Sequence, residues 1–133
     1  MRVIDGDTIV VKIEGRDEAI RLIGIDTPET VDPRRPVECF GREASNRAKE
    51  MLIGKSVRLE RDDMVDDKDQ YGRSLRYVFL ANEINFNKIM IEEGYAYEYT
   101  YENTLYKYQN EFKQAEEYAR ENKRGLWADG VCK

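Results

Sequence analysis

Two short acidic motifs carry the chemistry this sequence is equipped to do. Asp5-Gly6-Asp7-Thr8 stands near the start, and Asp26-Thr27-Pro28-Glu29 follows one hairpin later. Read alone, Asp-Gly is a turn signal, and Pro28 ends a strand by holding Thr27 extended. Read together, Asp7 and Asp26 are hard oxygen ligands of the kind that calcium and magnesium take. Two carboxylates brought close repel each other, and a bound cation removes that cost. Glu29 lies just past the second motif, where it can take a proton from water. Arg21 sits in the otherwise apolar run Ala19-Ile20-Arg21-Leu22-Ile23, so it must end in water or find a partner. Arg73 follows Gly72 in Tyr71-Gly72-Arg73, which on its own reads as a solvated loop. Guanidinium groups make paired bonds to phosphate. Two metal-binding carboxylates, a glutamate and two arginines thus form a phosphoryl-transfer set.

Absences narrow the chemistry further. The 133 residues include no histidine, which excludes Ser-His-Asp and Cys-His catalysts. Two distant cysteines without histidine exclude a Cys/His zinc site. The net charge of −5 is unusual for a nucleic-acid binder, so positive potential must be local. Arg21, Arg34, Arg35 and Arg73 are expected around the site, with the acidic excess on the last helix and on Asp62 to Asp69. Cys39 and Cys132 read either as a disulfide in an exported chain or as two unrelated buried thiols in a cytosolic one. A bridge would favour an extracellular or cell-surface location, which is otherwise undetermined. No apolar run approaches a membrane span.

The elements that must position these residues read mainly as strands in the front half. Ile9, Val11 and Ile13 alternate with Thr8, Val10 and Lys12, Glu14-Gly15 is a two-residue turn, and Ala19 to Ile25 returns. That turn sets Thr8 opposite Arg21 and Asp7 opposite Leu22. Alternation then puts Arg21 on the Thr8 face, so a bulge or strong curl is needed to bring it beside Asp7. Asp32 to Pro36 is a loop. Gly41 to Ile53 is a helix stopped by Gly54. Val57 to Arg61 and Leu75 to Leu80 are strands around a charged loop, Asp62 to Arg73. Asn85 or Asn87 caps a short helix that buries Phe86, Ile89 and Met90 and ends at Gly94. Tyr95, Tyr97, Tyr99 and Tyr101 alternate as a strand, with one face packed under the last helix or, alternatively, serving as stacking platforms for bases. That helix runs from about Leu105 to Asn122, with Leu105, Tyr108, Phe112, Ala115 and Ala119 inward. Leu126 and Trp127 pack back. The class is mainly β with α (α+β): a five-stranded OB-fold barrel with three helices, in one domain over 1–133. Four residues before Asp5 are few for a barrel strand, so the domain is expected to be excised from a longer chain.

At Arg2-Val3-Ile4-Asp5-Gly6-Asp7-Thr8, Arg21 to Glu29, Gly41-Arg42-Glu43-Ala44-Ser45, Tyr71-Gly72-Arg73 and Gly125-Leu126-Trp127 the sequence resembles the thermonuclease, or staphylococcal nuclease, family. The resemblance runs from Arg2 to about Trp127, and the first two segments at this spacing are its most specific part. It implies an OB barrel and a calcium ion held by Asp7, Asp26 and the Thr27 carbonyl. It implies Arg21 and Arg73 on the reacting phosphate, Glu29 as general base or water-positioning group, and Asp5 as a carboxylate behind the ligands. Tyr71 matches a residue that contacts a nucleotide phosphate, and Gln70 stands at a neighbouring contact where the best-known member has lysine. The implied reaction is calcium-dependent cleavage of DNA or RNA at the 5′ P–O bond, leaving 3′-phosphate ends. A monomer that prefers single strands is expected. Two alternatives stay open: a binding module on the same barrel without catalysis, and a calcium-binding structural domain. In the second, Arg21 and Arg73 would have no evident partner.

Overall fold

The computed structural model describes residues 1–29 and 38–132. The expected loop at Asp32 to Pro36, with Arg34 and Arg35, lies outside them. The first sheet begins with β1 (Arg2–Asp5), β2 (Thr8–Ile13) and β3 (Arg16–Leu22), an antiparallel meander. Glu14 and Gly15 both adopt positive φ, 49° and 80°, as a two-residue hairpin turn with the right-handed strand twist requires. The turn fixes the register: Thr8 lies opposite Arg21, and Leu22 N donates to Asp7 O. β4 (Ile25–Asp26) then leaves the sheet, because the chain turns at Gly24 with φ 81°. A Cβ on Gly24 would stand 2.6 Å from the Phe112 ring, so no other residue fits there without displacement.

The chain continues through α1 (Gly41–Leu52), β5 (Arg58–Glu60), β6 (Ser74–Leu80), β7 (Ile84–Asn85), α2 (Phe86–Glu92), β8 (Tyr97–Glu98) and α3 (Gln109–Glu121). The sheet order is β1-β2-β3-β6-β5, with β3 and β6 parallel and β7 on β6; β4 pairs with β8 in a separate two-stranded ladder. No ladder joins β1 to β5 among the described residues, so the five strands form a curled half-barrel rather than a closed one. With its three helices this is an α+β, OB-like fold. Ile9, Ile20, Leu22, Ile25, Tyr77, Phe86, Met90 and Phe112 fill the core, each at most 1% exposed. Asn85 is the α2 cap, accepting from Lys88 N at 3.2 Å. Asn87 is instead buried, accepting from Val78 N at 3.0 Å and donating to Ile23 O at 2.9 Å. It ties the end of β3 to β6 and α2, satisfying backbone groups that leave the ladders.

Four expectations need correction. The last helix starts at Gln109, not Leu105; Leu105 is 63% exposed, and Tyr101 to Tyr108 turn instead of coiling. Only Tyr97 and Glu98 of the tyrosine run form a strand. Tyr97, Tyr99 and Tyr101 face outward, and Ala96 is the buried member, so the tyrosine face is not packed under α3. Ile89 is only partly buried beside Phe86 and Met90. Period-2 alternation of amphipathic tyrosines reads the same for an inward and an outward face, which is why sequence alone misassigned it.

Candidate active site

The open end of the β2–β3 hairpin and the β4–β8 ladder enclose a cleft of about 350 Å³. Asp5, Asp7, Arg21, Asp26, Thr27, Glu29 and Arg73 all line it. The two acidic motifs meet through the backbone: Thr27 N donates to Asp7 Oδ2 at 2.9 Å, and Thr8 Oγ1 donates to Asp7 Oδ1 at 3.0 Å. Gly6 permits the approach, since a Cβ there would stand 2.9 Å from Thr27 Cγ2. Asp5 is buried behind this turn.

Arg21 reaches Asp7 without a bulge in β3. The β2–β3 register is unbroken, and the bulge lies in β1 between Val3 and Asp5. The turn at Gly24 brings Ile25 O back under Arg21, whose Nη1 donates to Leu22 O and to Ile25 O, each at 2.8 Å. Nη2 is left facing the carboxylates, 3.5 Å from Asp7 and 3.9 Å from Asp26. Across the cleft, Asp69 organises Arg73. Its Oδ1 accepts from Arg73 N and Tyr71 N, and its Oδ2 accepts from Arg73 Nε at 2.7 Å. Arg73 Nη1 comes within 3.4 Å of Thr8 Oγ1. Burial discourages ionisation of Asp69, but these bonds outweigh it and hold its carboxyl below the usual range.

Asp26 behaves in the opposite way. Its side chain is still 54% exposed, but partial loss of water around it, then the charge of Asp7, push its carboxyl above the usual range, and Arg21 offsets this only in part. Thr27 Oγ1 is buried with no hydrogen-bond partner among the described residues. Two crowded carboxylates and an unsatisfied hydroxyl form an all-oxygen set whose repulsion a hard cation would relieve, which fits calcium. Among the described residues no three acidic or cysteine side chains come close enough to share one ion, so it would need main-chain or water oxygens as well.

Not every expected residue joins the cleft. Tyr71 is 74% exposed and lies outside its lining, although its ring sits 5.3 Å from the Arg73 guanidinium. Gln70 is exposed and also outside it. Sequence reasoning passed over Asp69 and Glu38, and gave Tyr97 mainly a packing role, although Glu38 and Tyr97 both line the cleft. Asp69 had a usable signal, since Asp two residues before Tyr71-Gly72 is a side-chain-to-backbone turn pattern. Cys39 and Cys132 are bridged, with a Cα separation of 5.4 Å.

Comparison with known proteins adds to this geometry. The family described as staphylococcal nuclease homologue matches residues 19–129. A thermonuclease of Staphylococcus hyicus is 45% identical over 97% of this chain and 74% of its own. A thermonuclease of Staphylococcus intermedius is 45% identical over 95% of this chain and 73% of its own. Endonuclease YncB of Bacillus subtilis (strain 168) is 38% identical over 96% of this chain and 59% of its own.

Proposed function

Because the chain belongs to the staphylococcal nuclease family and is a hydrolytic nuclease, we propose that it is a calcium-dependent phosphodiesterase acting on DNA, RNA or both. It cleaves the 5′ P–O bond and leaves 3′-phosphate ends. The observation that supports this most is the convergence of Asp7, Arg21, Asp26, Glu29 and Arg73 on one cleft from four separate segments.

Asp7, Asp26 and the Thr27 carbonyl hold calcium in this proposal. When bound, the ion draws charge from a phosphate oxygen. Arg21, anchored by the Leu22 and Ile25 carbonyls, presents Nη2 to the same phosphate. Arg73, fixed by Asp69, meets the charge that grows on phosphorus oxygens as the bond breaks. Glu29 takes a proton from the attacking water, whose oxygen bonds to phosphorus as the 5′ oxygen departs. Asp5 supports the ligand turn from behind, and Tyr71 and Gln70 contact a flanking phosphate from outside the cleft. The disulfide suits an oxidising compartment, and the chain acts outside the cytosol as a monomer.

The test is digestion of denatured DNA with calcium and then with a chelator, followed by end-group analysis. Calcium-dependent release of 3′-phosphate ends supports the proposal. Unchanged cutting in chelator, or 5′-phosphate products, overturns it.

A further inference from the structure

One wall of the cleft holds a clamp that the reaction proposed above does not use. Glu38 N donates to Glu29 O at 2.9 Å, and Glu38 Oε1 accepts from Glu29 N at 3.2 Å. Both residues line the cleft. The pair is closed across residues 30–37, and its side-chain bond is exposed. Exposed hydrogen bonds contribute little against the entropy of closing a loop. The clamp therefore needs an anchor, and Glu38 has one on its far side. Gly41 N donates to Glu38 O at 2.9 Å, and Phe40, at φ 70°, turns the chain directly into α1 with its ring stacked on Tyr95. Between them, Cys39 is bridged to Cys132.

The segment that leads to Cys132 is fastened a few residues earlier, beside the cleft wall. Leu126 N donates to Gly94 O at 2.8 Å, and Trp127 packs edge-on against Tyr97 at 5.5 Å. Tyr97 pairs with Asp26 in the β4–β8 ladder. The crosslink thus ties the residue next to Glu38 to a segment that packs, through Trp127, on Tyr97, the ladder partner of Asp26.

We propose that Glu38 is a positioning residue for Glu29, and that the Cys39–Cys132 bridge is the anchor that keeps it in place. Turnover then depends on the oxidised bridge. The proposal rests on Glu29 acting in the reaction as proposed above. Glu38 works as an acceptor for the Glu29 N–H, so an uncharged acceptor of the same shape serves equally well. Reduction by a dithiol delivers two electrons and two protons to the bridge, giving two thiols and the oxidised reductant. Cys39 is then released from its tether, and Glu29 loses its fixed backbone.

The experiment measures kcat and KM on denatured DNA at saturating calcium, which also stabilises the fold by binding it. It uses Glu38→Gln, Glu38→Ala and the unsubstituted protein, each with and without dithiothreitol, with circular dichroism confirming the fold. Misplacing a reacting group by about an ångström costs on the order of 10²-fold, so Glu38→Ala should lower kcat by about tenfold or more while KM moves by less than about threefold. Glu38→Gln should stay near the unsubstituted rate. Reduction should lower kcat similarly in the unsubstituted protein, and by less than about twofold further in Glu38→Ala, because the two changes act on one device. A Glu38→Gln rate as low as that of Glu38→Ala, a full rate in Glu38→Ala, or losses that multiply would overturn the proposal. A reduced chain that unfolds even with calcium shows the bridge holding the whole fold, and overturns its role as anchor. Glu29→Gln is assayed alongside: full turnover in that variant removes the base itself, whereas its loss with an active Glu38→Ala removes only the clamp.

Discussion

Asp62→Ala tests how the charged loop that carries Arg73 is held to the barrel. Asp62 is 4% exposed and accepts three hydrogen bonds: from the Tyr77 hydroxyl at 2.6 Å, Lys107 N at 2.8 Å and Met64 N at 2.9 Å. Burial disfavours its charge, but the bonds from Lys107 N, Tyr77 and Met64 N prevail and hold its carboxyl below the usual range. Alanine leaves all three donors without a partner. The Tyr77 side chain is fully buried, so its hydroxyl loses about 1–3 kcal/mol, and the two main-chain donors nearer solvent lose about 1 kcal/mol each. The expected destabilisation is about 3–5 kcal/mol. Asparagine keeps the size and one acceptor and should cost about 1–2 kcal/mol. Urea unfolding at neutral pH, followed by the fluorescence of the single Trp127, measures both. The pH dependence has a definite sign. A carboxyl depressed in the folded state contributes stability that is fully present above its unfolded pKa, near 3.8, and is lost as pH falls through the lower folded value. The gap between the unsubstituted protein and Asp62→Asn should therefore close on acidification below that point. A loss under about 1 kcal/mol for Asp62→Ala, or a gap that stays constant into acid, would refute the reasoning.

Two further outcomes concern the cleft. Arg73→Ala should lower turnover by roughly 10²–10³, with little change in KM, because in its proposed role it donates to developing charge and so acts mainly in the transition state; steady-state kinetics check this. Single-stranded DNA should be cut faster than duplex, and duplex binding should fall steeply with salt, since a chain of net charge −5 attracts phosphates only locally; equal rates on both substrates across a salt series would count against it.

The parts of the fold legible in sequence were those with a local signature. Glu14-Gly15 announced its turn, and the turn alone set Thr8 opposite Arg21. The two acidic motifs were legible because the hairpin has a defined length, so its open end joins Asp7 to Thr27 N. Asn85 and Asn87 looked alike as caps. Only packing separates the cap from the buried residue that bridges β6 and the end of β3. Asp62 read as one more charge in a loop, because its partners Tyr77 and Lys107 lie far along the chain. Glu38 was silent for the same reason, since a bond to a backbone amide across residues 30–37 leaves no periodic mark. The tyrosine run misled because alternation reports a strand's two faces without saying which one is buried.

The most direct test of the active-site assignment separates calcium affinity from turnover in two variants. Calcium binding is followed by titration calorimetry, and turnover on denatured DNA is measured at saturating calcium. Asp26→Ala should weaken calcium binding, because it removes one of the two proposed carboxylate ligands. Glu29→Gln should bind calcium as the unsubstituted protein does, yet lose about 10²–10⁴ in turnover, the usual contribution of a general base. Near-full turnover in Glu29→Gln at saturating calcium, or undiminished calcium affinity in Asp26→Ala, would contradict the account.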